Sequence, residues 1–186
     1  MTQKPTYEEL EARIALLEKE AVQRAHAEDG LRKSEKRLSQ ILHCISIPIL
    51  VIDDNHFITH YNHAMEALTG VSAKEVIGTN RQWMAFYSKE RPVMADFILD
   101  KASEEIIARY YSGKYQMSSV MPGAYEAEDF FPELGEDGRW VFFTAAPLAD
   151  ETGVIVGAVE TLQDVTGRKH AEEALERARK SLGDGW

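Results

Sequence analysis

Leu10, Ile14, Leu17, Ala21, Arg24, Glu28, Leu31, Glu35, Leu38, Leu42 and Ile45 fall on one alternating spacing of four and three residues. A heptad seam kept up this long is the signature of a coiled coil. It lays an apolar stripe along one side of a helix, and a second helix covers it best. The spacing predicts a single helix from Thr6 to about Ile45. Helices that rest on their own domain average about 11–12 residues, so this one is expected to form a parallel homodimer. Thr6-Tyr7-Glu8-Glu9 has the capping-box pattern, with Glu9 three residues after Thr6. The seam is weak in its middle, where Arg24, Glu28 and Glu35 occupy it, and Gly30 costs about 1 kcal/mol in a helix interior.

Pro48 ends this pattern, because proline lacks a backbone donor and restricts the residue before it. Beyond it the period alternates between strand and helix. Pro48 to Asp53 and His56 to Tyr61 read as two strands joined at Asp54-Asn55 into a hairpin. Asn62 can cap a helix over His63 to Thr69 that stops at Gly70, and Ser72 to Gly78 repeats that logic with Glu75 as the capping-box acid. Arg91 to Tyr111 is helical by composition. Tyr125 to Phe131, Arg139 to Leu148 and Val154 to Gln163 then read as three strands. Gly167 to Leu182 is a charged, alanine-rich helix. The expected class is α+β with one antiparallel sheet. Its parts are an N-terminal coiled-coil helix over 1–45, a globular domain over 46–166 and an output helix over 167–186.

Charge follows the same boundaries. Residues 1–46 hold 8 basic and 8 acidic side chains and 165–186 hold 5 and 4, whereas 47–164 hold 8 against 19. A centre that acidic repels a phosphate backbone, which argues against nucleic-acid binding. At 44% hydrophobic the chain has enough apolar residues for one core, so wholesale disorder is not expected. Its longest apolar run, Ile45 to Ile52, is broken by Ser46 and Pro48, far short of the ~20 residues that span a bilayer. The first twenty residues carry no apolar signal core. The single cysteine, Cys44, forms no internal disulfide and no multi-cysteine metal cage. A cytoplasmic protein that does not engage membranes is the expectation.

The order of hairpin, short helices, connecting helix and three-strand meander resembles a PAS domain. The stretches PILVIDDNHFITHYNHAMEALTGVSAKEVIG and WVFFTAAPLADETGVIVGAVETLQDVTGRKHAEEAL carry the likeness, whereas Thr79 to Gly138 is longer and less typical. The resemblance implies a five-stranded antiparallel sheet, helices over one face and a ligand cavity between them. It also implies that Asp164-Val165-Thr166 joins the last strand to an output helix, with Asp164 and Thr166 as the signal-transfer residues. By local chemistry alone the same residues form a helix N-cap.

The family's cofactor classes can be tested on the residues. Flavin-binding light sensors carry a pattern similar to GxNCRFLQ, and the corresponding stretch here is Gly78-Thr79-Asn80-Arg81-Gln82-Trp83-Met84. Arg81 stands where the adduct-forming cysteine would be, which argues against flavin. No histidine lies between Asn80 and Gly138, where haem-binding members place an axial ligand, and CxxCH is absent, which excludes c-type haem. His60 and His63 straddle a strand end, a poor geometry for sharing a metal, and no metal site is assigned. A small organic ligand is the better expectation, its identity open. Aromatic walls with few polar anchors make such sites, and arginine reads carboxylates bidentately. Arg81, Trp83, Phe86, Tyr87 and Arg91 supply both, and His60 joins them as a candidate. The plainer reading is that Trp83 and Phe86 fill core while Arg91 pairs with Glu90 or Asp96. In Glu126, Glu128, Asp129, Glu133, Glu136 and Asp137 the calcium-loop spacing is missing, and a solvated strand edge is expected instead.

No nucleophile elbow, phosphate-binding loop or Cys/His pair appears, and His170 lacks the SHExRTPL context of a phosphoacceptor. No catalytic residue is assigned, and a non-enzymatic sensory and dimerisation module of bacterial two-component type is expected, with a signalling protein as partner. The alternatives are a haem- or metal-binding redox or gas sensor, or the sensor region of a histidine kinase or cyclic-dinucleotide enzyme.

Overall fold

The computed structural model describes residues 6–183. The first five residues of the N-terminal segment and the last three of the output segment lie outside the described residues. The chain divides into two units, Met1–Leu42 and His43–Trp186.

Helix α1, Tyr7–Cys44, accounts for the first unit. Its start is a reciprocal capping box: the backbone N–H of Thr6 donates to Glu9 at 2.8 Å, and that of Glu9 donates to the Thr6 hydroxyl at 3.3 Å. Nothing in α1 is buried, and Leu10, Ile14, Leu17, Leu31 and Leu38 are all about half exposed. Arg24 and Glu28, two of the three polar residues in mid-seam, pair with each other at 3.0 Å along the helix.

The second unit is built on a six-stranded antiparallel sheet in the order β2-β1-β6-β5-β4-β3. The strands are β1 Ile49–Asp53, β2 Ile58–Tyr61, β3 Tyr115–Met117, β4 Tyr125–Phe131, β5 Arg139–Ala149 and β6 Ile155–Asp164. Five were expected. The sixth, β3, is three residues pairing Tyr115 with Ala127 and Met117 with Tyr125. It lies in the atypical middle segment and is too short to show a period. Its presence corrects the reading of the acidic run in part, since β4 is an interior strand where Tyr125–Ala127 pair with β3. At the other end of the sheet, Ile58 of β2 exchanges backbone hydrogen bonds of 2.8 Å with Gly78 and Thr79.

Alternation along the strands sorts side chains to two faces. Leu50, Ile52, Ile58, Val141, Phe143, Ala145, Ala158 and Leu162 face inward and are buried. Helices α2 His63–Thr69, α3 Ala73–Val76, α4 Met94–Leu99 and α5 Glu104–Tyr111 cover that face. Met65, Leu68, Val76, Met94, Phe97, Ile107 and Tyr111 complete the core. The predicted helix over Arg91 to Tyr111 is two helices instead. Lys101 adopts a left-handed φ of 48°, and Ser103 in extended conformation starts α5.

Asn62 fixes how α2 leaves the hairpin. Its side-chain oxygen accepts from the backbone of Ile49 at 2.9 Å and of Met65 at 3.0 Å, and its amide donates to the carbonyls of Ile45 at 3.2 Å and Ile47 at 2.8 Å. One buried side chain therefore caps a helix and anchors the segment entering β1. Ser72 and Glu75 form the expected capping box at α3.

Candidate ligand site

The site begins with a tight turn. The Asp53 carboxylate accepts from the backbone of Asn55 and of Phe57, each at 2.9 Å, and His56 sits between them with φ 65°. His56 Nδ1 lies 2.7 Å from Asp96 Oδ1, and its Nε2 lies 3.3 Å from Asp100 Oδ1. Burial opposes a charge on this imidazole, but the hydrogen bond and charge of Asp96, joined by Asp100, outweigh it and raise the His56 pKa.

Asp96, at the start of α4, is buried and fully engaged. Besides His56 it accepts from the Val93 backbone at 2.8 Å and from Gln82 Nε2 at 2.6 Å. Next to it, the Ala95 N–H donates to Glu160 of β6 at 3.2 Å. Burial, reinforced by the charge of Asp96, pushes the Glu160 carboxyl up to about 8, against the pull of that N–H.

Arg91 sits over an aromatic floor, its guanidinium carbon 4.0 Å from the ring centre of Tyr87, 5.0 Å from Tyr110 and 5.2 Å from Tyr111. Burial raises the Tyr87 phenol to about 12 even though Arg91 and a hydrogen bond with Tyr111 pull it down, so it is a neutral partner at physiological pH. Two buried polar atoms have no hydrogen-bond partner among the described residues, Gln82 Oε1 and Arg91 Nη2. Both residues border one cavity of about 290 Å³, together with His56, Trp83, Glu90, Asp96 and Asp100. Arg91 also borders a second pocket of about 260 Å³, with Phe86, Tyr87, Lys89, Glu90 and Phe131. Clefts of about 550 and 520 Å³ lie against Phe142 on the opposite face, and neither Gln82 nor Arg91 borders them.

The structure thus brings together part of the expected ligand set. Trp83 and Arg91 share the first cavity, Phe86, Tyr87 and Arg91 line the second, and Phe86 is otherwise buried beside Phe131 at 5.7 Å. Arg81 stands apart, exposed and donating to the carbonyl of Glu75 at 3.1 Å. His60 is elsewhere too, paired in register with Val51 and contacting the Thr59 hydroxyl at 3.1 Å. Arg91 does not pair with Glu90 or Asp96 but stacks on tyrosines. His56, Gln82 and Asp96 went unrecognised as a group, because their proximity depends on how α4 packs on the hairpin. Glu160 had a signal, an acid in register with inward-facing Ala158 and Leu162.

At the sheet's far end, Asp164 and Thr166 lock the start of α6, Thr166–Gly183. Asp164 accepts from the Thr166 backbone at 2.9 Å and from Arg139 at 3.1 Å, and the Thr166 hydroxyl accepts from the Trp140 backbone at 3.0 Å. Burial would raise the Asp164 pKa, but these hydrogen bonds and the Arg139 charge lower it. Arg168 and Lys169 both pair with Glu128 on β4, and the Lys169 ammonium lies 5.2 Å from the Trp140 ring. Among the described residues, no group of three or more His, Cys, Asp or Glu side chains is placed to hold a metal ion, and no helix is long and apolar enough to cross a membrane.

The sequence pattern of the family described as PAS domain matches residues 46–167. Phytochrome B of Oryza sativa subsp. indica is 24% identical over 141 residues, which cover 76% of this chain and 11% of that protein. The chain therefore spans about a tenth of that relative's length. A solved RNA-binding light-oxygen-voltage receptor superposes with a TM-score of 0.52 at 19% identity, covering 81% of this chain and 38% of that one. The PAS domain of Bordetella pertussis BvgS gives a TM-score of 0.47 at 17% identity, covering 79% of this chain and 98% of that one.

Proposed function

The chain belongs to the PAS domain family, and from that premise we propose that it is a non-enzymatic sensory and dimerisation module in cytoplasmic signal transduction. A small organic molecule occupies the cavity beside Arg91, and its arrival is passed on through the flanking helices. One observation carries this reading: Gln82 Oε1 and Arg91 Nη2 are both buried, both lack a partner, and both belong to residues bordering the same cavity. Leaving such a group unsatisfied costs about 1–3 kcal/mol, which either side chain would recover by turning toward a ligand in the cavity.

The route outward follows from shared bonds. Asp96 belongs to the cavity, its neighbour Ala95 is bonded to Glu160 on β6, and β6 runs directly into Asp164, Thr166 and α6. A ligand that binds one position of α4 more tightly would bias β6 and the exit helix. The exposed leucines of α1 supply a dimer seam, and its polar middle, Arg24, Glu28 and Glu35, lowers the cost of changing register. Signalling then ends on a partner protein that reads the helices.

Native mass spectrometry of the purified protein, paired with an absorbance spectrum, tests the ligand reading. The expected result is a retained organic mass, no Soret or flavin band, and loss of that mass in Arg91→Met. A Soret or flavin band would overturn it.

A further inference from the structure

Resting on the reading of α1 as a dimer seam, we propose that two copies of α1 pair antiparallel, with Arg24 of each helix set against the partner's Glu28.

Nothing in α1 is buried, so its apolar stripe is open along the whole of Tyr7–Cys44. The spacing alone predicts a parallel pair, and the charges in its middle reverse that orientation. In a parallel pair in register, every seam residue meets its own copy. Apolar layers accept this, but Arg24 would meet the partner's Arg24, Glu28 the partner's Glu28 and Glu35 the partner's Glu35. Three layers would then hold like charges in the least hydrated part of the contact, where an uncompensated charge is costly.

Turning one helix over brings the two kinds of seam position against each other. The register that sets Arg24 against the partner's Glu28 then fixes every other layer. Leu10 meets the partner's Leu42, Ile14 the partner's Leu38 and Ala21 the partner's Leu31, all of them apolar. Glu35 meets the partner's Leu17, a mixed layer in place of two facing carboxylates. Beside the seam, Glu18 faces the partner's Arg32. Arg32 is bonded to Asp29 but remains largely exposed, and its other donors are free to reach across. Each contact occurs twice by two-fold symmetry.

The same register engages α1 over nearly its full length, because Cys44 of one helix stands level with the partner's Glu8. Slid by one heptad, the antiparallel pair sets Arg24 against the partner's Glu35 instead, with less overlap at the ends. The polar middle thus admits two registers and selects one orientation.

The lone cysteine, Cys44, is exposed at the end of α1 and serves as a ruler. A nitroxide on Cys44 of the full chain, read by double electron–electron resonance, is expected to show copies about 54 Å apart, or about 44 Å in the slid register, at 1.5 Å per residue. Glu11→Cys with Cys44→Ser moves the label to the other end and should read about 45 Å, or about 56 Å in the slid register. The two sites therefore change in opposite directions, which assigns the register. A Cys44 separation below about 25 Å, which a parallel pair of helices 8–10 Å apart imposes, overturns the orientation and leaves the seam standing. Sedimentation of the unlabelled full chain as a monomer would remove the seam as well.

Discussion

The backbone N–H of Ala95 donates to a carboxyl oxygen of Glu160 across 3.2 Å, joining α4 to β6 inside the core. The acid lies among apolar side chains, and burial lifts its pKa from 4.5 to about 8. An unfolded chain releases this proton near the ordinary value, whereas the native state keeps it until about 8. Between those values the native state binds more protons, so stability is greatest at the acidic end of the window and falls as pH rises, by at most about 1.4 kcal/mol per pH unit. Glu160→Gln should flatten that slope in urea melts run from pH 5 to 9. A variant as steep as the parent would remove Glu160 as the cause.

The Asn62 side chain hydrogen-bonds from both sides of its amide, accepting from Ile49 and Met65 and donating to Ile45 and Ile47. Asn62→Ala strips the cap from α2 and leaves buried backbone groups unpaired, and it should cost about 3 kcal/mol in urea unfolding. Asn62→Asp keeps the acceptor but sets a carboxylate oxygen against the carbonyls of Ile45 and Ile47, so at neutral pH it should cost at least as much as alanine. A cost below about 1 kcal/mol for alanine would mean that water replaces the side chain.

Glu128 holds the first turn of α6 through Arg168 and Lys169. These pairs are partly exposed, so Glu128→Gln should leave the melting temperature nearly unchanged. Amides near Lys169 should nevertheless exchange several-fold faster in deuterium oxide, since local opening no longer breaks two ion pairs. Unchanged exchange there would show that Asp164 and Thr166 hold the helix alone.

The apolar seam of α1 is exposed on the single chain. Leu31→Glu combined with Leu38→Glu should convert a dimer to a monomer in sedimentation, because two charges per helix would enter the apolar seam. If the double variant still sediments as a dimer, the seam is not the contact.

How much of this was legible depended on how local each feature was. Asn62, Gly70, Ser72 and Glu75 announce α2 and α3 because a cap is decided within four residues. Strands β4, β5 and β6 begin within one residue of their predicted starts because turns and alternation bound them. Neighbours on a helix or strand point apart, and the pairs Tyr110/Tyr111 and Phe130/Phe131 split accordingly, with Tyr111 and Phe131 buried. Strand β3 escaped notice because three residues carry no period, and the break at Lys101 because a left-handed lysine leaves no compositional trace. Aromatic and guanidinium content drew attention to Trp83, Tyr87 and Arg91, but could not separate Arg91 from Arg81. That distinction comes from tertiary contact, as does the meeting of His56 with Asp96 across forty residues.

The two ends of the sheet limit how copies of this protein can meet. One border is already tied to Gly78 and Thr79, and the other is three residues long. β3 covers only Tyr125–Ala127 of β4, so each border offers an incoming strand no more than a short stretch of backbone, which discourages growth by templating. Association is left to side chains, whose pairing can be loosened and remade without unravelling the domain. The same closure should keep the protein from fibrillising at concentrations where an open-edged sheet of this size would.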